Sequence, residues 1–131
     1  MFNDNCYKTK IYYEDTDAGG IVYYANYLKF FERARTEMIY QKFNLNHQKL
    51  KNQFDIIFVV KRCNVKYLKS AKFEDEIRIT TKVLKKSPVR LNLLQEAKRK
   101  EELLVTAEVE LAIINSNGSI NKIPKNLLSK I

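Results

Sequence analysis

Glu14-Asp15-Thr16-Asp17-Ala18-Gly19-Gly20 brings three of the fifteen acidic residues and two of the three glycines of the chain into one short run. A strand-like alternation precedes it and a helix-like run follows. Carboxylates in a glycine-softened strand-to-helix turn can be aimed at a helix N-terminus. There a carboxylate serves as general base or nucleophile. The free N–H groups and dipole of the helix stabilise negative charge opposite it. Turn-making is the commoner use of such an Asp, because its side chain readily bonds backbone N–H groups two residues on.

The other reactive residue types offer less. Cys6 and Cys63 have no metal-ligand spacing and are expected to be reduced, partly buried thiols. His47 is the single histidine and stands in the polar stretch Asn44–Gln48. No zinc site is expected, and a Ser-His-Asp or Cys-His system would have to use that one residue. Asp15 and Asp17 begin a calcium-loop pattern with Gly20 at its sixth position. The twelfth position, which needs Glu, holds Asn26.

A chain of 131 residues with 45% hydrophobic and 30% charged residues is expected to form one soluble domain over 1–131. No apolar run reaches the ~18–20 residues of a membrane span. Met1–Asn5 lacks the basic and apolar regions of a signal peptide, so a cytoplasmic location is the default. The net charge of +9 favours anionic partners. The lysines are spread along the chain without a dense block, as in solvated surface charge.

The alternation from Tyr7 to Glu14 predicts a strand with Tyr7, Thr9, Ile11 and Tyr13 inward. Asn26 is the expected N-cap of a helix running to Phe43, whose apolar stripe is Tyr27, Phe30, Phe31, Ala34 and Met38. Asn44 to Gln53 is expected to be a connection. Phe54–Leu68 is apolar on both faces at first, like a central strand. Strands over Glu76–Lys85, Val89–Arg99 and Leu103–Asn115 follow, the last with Leu103, Val105, Ala107, Val109, Leu111 and Ile113 on one face. Asn117-Gly118 marks a turn, and Pro124 opens a short helix through Lys130. Strand, long helix and four strands with short turns give an α+β domain with an antiparallel sheet wrapped round the helix. Such a small sheet leaves an edge for a second copy, so a dimer or larger assembly is expected.

Tyr12 to Tyr23, followed by Ala25-Asn26-Tyr27-Leu28 and Phe31-Glu32-Arg33-Ala34-Arg35-Thr36-Glu37, resembles the YbgC-type acyl-CoA thioesterases of the 4-hydroxybenzoyl-CoA thioesterase group. Val59-Val60-Lys61-Arg62 through Tyr67, Phe73-Glu74-Asp75 and Pro124-Lys125 extend the resemblance over nearly the whole chain. It implies the hotdog fold, a long helix wrapped by a five-stranded antiparallel sheet, with active sites at the interface of a homodimer or homotetramer. It implies hydrolysis of acyl-CoA without a metal or organic cofactor. The catalytic aspartate falls at Asp17, and the N–H that polarises the thioester carbonyl falls at Tyr24. Many relatives carry histidine where this chain has Tyr24. A backbone donor survives that exchange, whereas a role for an imidazole does not.

Gly19 and Gly20 are expected to let the loop approach the ligand closely, with Glu14 and Asp15 shaping the turn. Coenzyme A carries phosphates, so Lys61, Arg62, Lys86 and Arg90 at strand ends are candidate ligands, with plain surface as the alternative for each. Tyr23, with Tyr13, Phe30 and Phe58, is a candidate for the acyl pocket, against ordinary core. Glu32, Arg33, Arg35 and Glu37 read as helix-surface or subunit ion pairs. Acyl carrier protein is an alternative substrate carrier, since its acidic surface suits the positive charge. A non-catalytic acyl-CoA or carrier-binding module is the competing function. No nucleic-acid motif accompanies the charge.

Overall fold

The computed structural model describes residues 6–131. Met1–Asn5, on which the signal-peptide reading rests, lie outside the described residues. The elements run β1 (Cys6–Lys10), α1 (Asn26–Phe43), α2 (His47–Phe54), β2 (Ile57–Tyr67), β3 (Glu76–Lys86), β4 (Arg90–Arg99), β5 (Glu102–Ile114) and α3 (Lys125–Leu128). One sheet has the order β1-β3-β4-β5-β2, antiparallel throughout. No helix among the described residues is long and apolar enough to cross a membrane.

Two periodicities meet in the core. α1 buries Tyr27, Phe30, Phe31, Ala34, Met38, Ile39 and Phe43 at helical spacing. The strands bury alternate residues: Ile77 and Ile79 of β3, Leu91, Leu93 and Ala97 of β4, and Ala107, Val109, Leu111 and Ile113 of β5. Burial of each larger side chain contributes about 1.5–3 kcal/mol. Gln95 is fully buried in this face. Its Nε2 donates to Phe31 O (3.0 Å) and Thr81 Oγ1 (2.9 Å), and its Oε1 accepts from Arg35 (3.1 Å). A buried amide whose bonds are made in this way costs little. The expected α+β hotdog architecture is present.

Six local expectations are corrected. The first strand stops at Lys10, because Ile11 exchanges backbone bonds with the segment before β3 (Ile11 N to Asp75 O and Glu74 N to Ile11 O, both 2.9 Å). Tyr13–Asp15 then forms one 3₁₀ turn, which leaves Tyr13 exposed and stacked on Phe73 at 4.0 Å instead of facing inward. The expected connection after α1 contains a helix. Asn46 caps α2 by accepting from Lys49 N (2.8 Å), and fully buried Leu50 anchors it. One large apolar residue in a polar stretch hides such a helix from periodicity.

β2 is an edge strand and not a central one: β5 lies on one side and no other strand of the described residues pairs with it. Its early double-sided hydrophobicity reflects packing under α2, where Phe58 meets the His47 ring. In β5 the register with β4 shifts between Ala97 and Lys98, so Leu104 and Val105 are both buried and Leu103 turns partly outward. A bulge adds one residue and reverses the alternation beyond it. α3 is shorter than expected and ends at Leu128.

Candidate active site

The acidic turn is a tight loop closed on itself. Thr16 and Val22 form an antiparallel bridge, Asp17 N donates to Ile21 O (2.9 Å), and Gly20 N donates to Asp17 O (3.0 Å). Gly20 has φ +81°, a conformation that costs glycine little and other residues much. Gly19 N donates to Asp17 Oδ1 (2.8 Å), and a Cβ on Gly19 would stand 3.3 Å from that same oxygen. Asp17 therefore shapes the turn with one carboxylate oxygen. Its other oxygen has no hydrogen-bond partner among the described residues. Asp15 holds the turn as expected, by accepting from Tyr12 N at 2.9 Å. The Glu14 side chain makes no hydrogen bond or ion pair among the described residues, so no turn-making bond from it is present.

The turn is fastened to the start of α1. Asp15 O accepts from both Tyr23 N and Asn26 Nδ2, each at 2.9 Å. Asn26 was expected to cap the helix with its side chain; it ties the helix to the turn instead. The cap position is Ala25, whose methyl group cannot accept a hydrogen bond. The first turn is tight, with Asn26 N on Tyr23 O, Tyr27 N on Tyr24 O and Leu28 N on Ala25 O. The N–H groups of Tyr24 and Ala25 donate to nothing among the described residues. An uncapped helix start of this kind keeps its donors and its positive end available.

One cleft of about 210 Å³ is lined by Asp17 and Ile21 of the turn, Tyr24 and Tyr27 of the helix start, and Tyr67 and Leu68 at the end of β2. Tyr67 packs its ring against Tyr24 and Tyr27, each with centroids 5.9 Å apart. The far wall, Leu68 to Ser70, belongs to a loop that is held from below. Ala71 O accepts from Val22 N (2.9 Å), and Arg99 binds Asp75 (2.7 Å), Glu102 (2.7 Å) and Ser70 O (3.2 Å). Lys69 and Arg99 hold the Glu102 carboxyl down at about 2. Burial would raise Asp75, but the bonds from Arg99 and Lys72 N outweigh it and leave this carboxyl below its ordinary value. A larger groove of about 740 Å³ runs past Lys8, Lys10, Arg78 and Arg99 and the acids facing them. Several of those charges are spent on one another, and Asp17 does not reach it, so the smaller cleft is the better place for chemistry.

The other candidates are dispersed. Tyr23 rests on Tyr24 (centroids 5.0 Å), is about half exposed, and does not line the cleft. Phe30 is core. Lys61 is the residue skipped by the register shift between Val60 and Arg62 in β2. Arg62 pairs with Glu110 at 3.5 Å, and Arg90 pairs with the same carboxylate. Lys86 is bound by Leu128 O (3.2 Å) and Ile131 O (2.7 Å). Lys86 and Arg90 flank the β3–β4 turn, while the cleft is at the Glu76 end of β3. At ~3.3 Å per residue the length of β3 separates them by about 33 Å. Within one chain, then, Lys86 and Arg90 are not brought to Asp17.

Tyr27 and Tyr67 were missed as site residues. Tyr27 is indistinguishable from core in the helical stripe, and Tyr67 stands near the strand end before a loop whose path the pattern does not give. Among the described residues no group of three or more His, Cys, Asp or Glu side chains is placed to hold a metal ion.

The sequence model of the thioesterase-like superfamily matches residues 12–131. The chain is 37% identical over 113 residues to the acyl-CoA thioesterase YbgC of Haemophilus influenzae, covering 86% of this chain and 82% of that one. It is 36% identical over 105 residues to the acyl-CoA thioester hydrolase YbgC of Escherichia coli O6:H1, covering 80% and 76%. The crystal structure of a probable thioesterase from Bartonella henselae superposes with a TM-score of 0.86 at 31% identity, over 91% of this chain and 98% of that one. A turn carboxylate facing an uncapped helix start is thus found in a chain that, by sequence and by fold, belongs to the thioesterase-like superfamily and to its YbgC-type members.

Proposed function

We propose that the protein hydrolyses acyl-CoA thioesters to a carboxylate and free coenzyme A, with the Asp17 carboxylate driving attack and the Tyr24 N–H polarising the carbonyl. One observation carries the reading: an unspent oxygen of Asp17 and the cleft-lining Tyr24, whose N–H is likewise unspent, share one cavity. As base, Asp17 takes a proton from water as the C–O bond forms. The C–S bond then breaks, and the proton goes to the departing sulfur. As nucleophile, Asp17 attacks the carbonyl carbon, and the C–S bond breaks to release the coenzyme A thiolate, which takes a proton from water. A second water then opens the mixed anhydride to the carboxylic acid and Asp17. The N–H, with the dipole behind it, stabilises the oxyanion in either route. Tyr24 contributes through its backbone, so the site works without the imidazole that many relatives have at this position.

Asp17 and Tyr24 are exposed in a single chain, and β2 has an open edge. A second copy along that edge would cover the cleft, as in a homodimer or homotetramer. Lys61 and Arg62, on the edge strand, would then be the cations best placed to meet the phosphates of coenzyme A from a partner. An acyl group on acyl carrier protein is the alternative substrate, and a cytoplasmic setting suits both. The reaction as written uses no cofactor beyond the coenzyme A of the substrate.

Thiol release from a panel of acyl-CoAs tests the proposal. Asp17→Asn should lose ~10²-fold or more in kcat with the fold retained. Unchanged turnover would remove Asp17 from the reaction, and tight binding without turnover by the native protein would establish the binding-module alternative. Single turnover in ¹⁸O-water separates the routes, because only the nucleophilic one places ¹⁸O in the Asp17 carboxyl.

A further inference from the structure

Tyr27 is 2% exposed, yet its phenol is only half used. The hydroxyl oxygen accepts from Ala71 N at 3.0 Å, and among the described residues nothing accepts the hydroxyl proton. Leaving a buried donor unpaired costs ~1–3 kcal/mol. A phenylalanine would keep the ring contacts to Phe30 and Tyr67 and remove the unpaired proton, but it would take from the buried Ala71 N–H its acceptor. The Ala71 bond thus accounts for the hydroxyl oxygen, and the proton is left without a partner.

Three features say where the proton can go. Tyr27 lines the same cleft as Asp17 and Tyr24. It follows Tyr24 by about one helical turn, and helix side chains lean toward the N-terminus, where the Tyr24 N–H is free. Ala71, which donates to the hydroxyl, also accepts from Val22 N, so the phenol meets the loop where the loop meets the acidic turn. Accepting from Ala71 polarises the O–H and makes it a better donor. Burial also pushes the phenol above its ordinary value of 10.0, so it holds its proton through the neutral range.

We propose that Tyr27 is a catalytic residue whose hydroxyl donates to the thioester carbonyl oxygen, as a second donor beside the Tyr24 N–H. This rests on the thioesterase reading above. Two donors converging on the developing oxyanion are what acyl transfer uses, and removing one costs ~10²–10³-fold in kcat.

The competing role is purely structural: the hydroxyl accepts from Ala71 and does nothing else. Fluorotyrosines at position 27 separate the two, because fluorine makes a phenol a better donor and a poorer acceptor at almost unchanged size. Assayed below the phenol pKa, kcat should rise about two- to fivefold along a series of increasing fluorination, in Brønsted fashion. Tyr27→Phe should lose ~10²-fold in kcat with KM little changed. A kcat that is flat or falls along the series, or a fully active Tyr27→Phe, overturns the proposal.

The carbonyl stretch of a thioester bound to Asp17→Asn supplies a readout independent of turnover. Adding Tyr27→Phe should move it to higher wavenumber, and no movement overturns the proposal. A failure of the Asp17 assignment is seen separately, as unchanged hydrolysis by Asp17→Asn, and leaves the fluorotyrosine slope readable.

Discussion

The two ends of β2 carry two clefts of opposite character. Near Ile57, Glu32, Arg35, Thr36 and His47 line a cavity of about 80 Å³ beside Phe58. By residue type this is the more familiar constellation, because it sets the single histidine beside an acid, an arginine and a hydroxyl. Its groups are nonetheless largely spent. Arg35 is committed to Gln95, and Thr36 donates to Glu32. Burial pushes His47 below its ordinary 6.5, which leaves a neutral ring with Nε2 buried and unbonded. At ~30 Å³ per water the cavity has room for a few waters and not for a thioester. Near Tyr67 the inventory is Asp17, three Tyr, Lys69 and Ser70, but one Asp17 oxygen and the Tyr24 N–H have no partner among the described residues, and the cleft measures about 210 Å³. Free hydrogen-bonding capacity, which His47 Nε2 also has, marks a site only where it comes with space for a substrate.

The sharpest test of that contrast exchanges one group at each end. Asp17→Asn should cost ~10²-fold or more in kcat, while His47→Leu should leave kcat unchanged. A large loss from His47→Leu would reverse the assignment of the two clefts. Gly19→Ala comes next: its Cβ would press on Asp17 Oδ1 at 3.3 Å. A displaced carboxylate should lower kcat roughly tenfold with little change in melting temperature. Wild-type kcat in Gly19→Ala would show that the Oδ1–Gly19 bond does not set the carboxylate position.

Two smaller effects appear in pH titrations of stability. Glu102 is held at about 2, against an ordinary 4.5, by Lys69 and Arg99. A depressed carboxyl stabilises the fold above the unfolded value and loses that contribution as pH falls through the folded one. Denaturant midpoints should therefore decline from about pH 4.5 toward 2, and Glu102→Gln should flatten the decline. His47 is also depressed, so its neutral form is favoured in the fold. Stability is full above 6.5 and decreases as pH falls below it. His47→Leu should remove that slope, and a slope that persists would assign it to another group.

The fold was legible where a pattern repeats. The α1 stripe emerges as expected, and β3 and β4 form close to their expected ranges, because helix and sheet each bury one face against the other. The readings that failed depend on a single residue or on partners distant in sequence. Leu50 alone anchors α2, a bulge at Leu104 reverses the β5 alternation, and β2 pairs with the last strand and not the next one. In the site, the acidic turn was visible through its glycines. The far wall was not, since Tyr67, Leu68 and Ala71 reach the turn only after β2 has crossed to the opposite edge of the sheet.

The sequence by itself determined that a carboxylate stands at a flexible turn before a helix, and that the chain resembles a thioesterase. Local spacing suffices for both. Only the tertiary structure decided how Asp17 divides its oxygens, one bound by Gly19 and one free. It also decided that Asn26 ties the turn instead of capping α1, and that cleft-lining Tyr27 keeps a buried hydroxyl bound on its oxygen alone. Those outcomes depend on which donors and acceptors meet across long loops. A linear pattern gives each group's capacity to bond, while the folded chain determines how much of that capacity is left for a substrate.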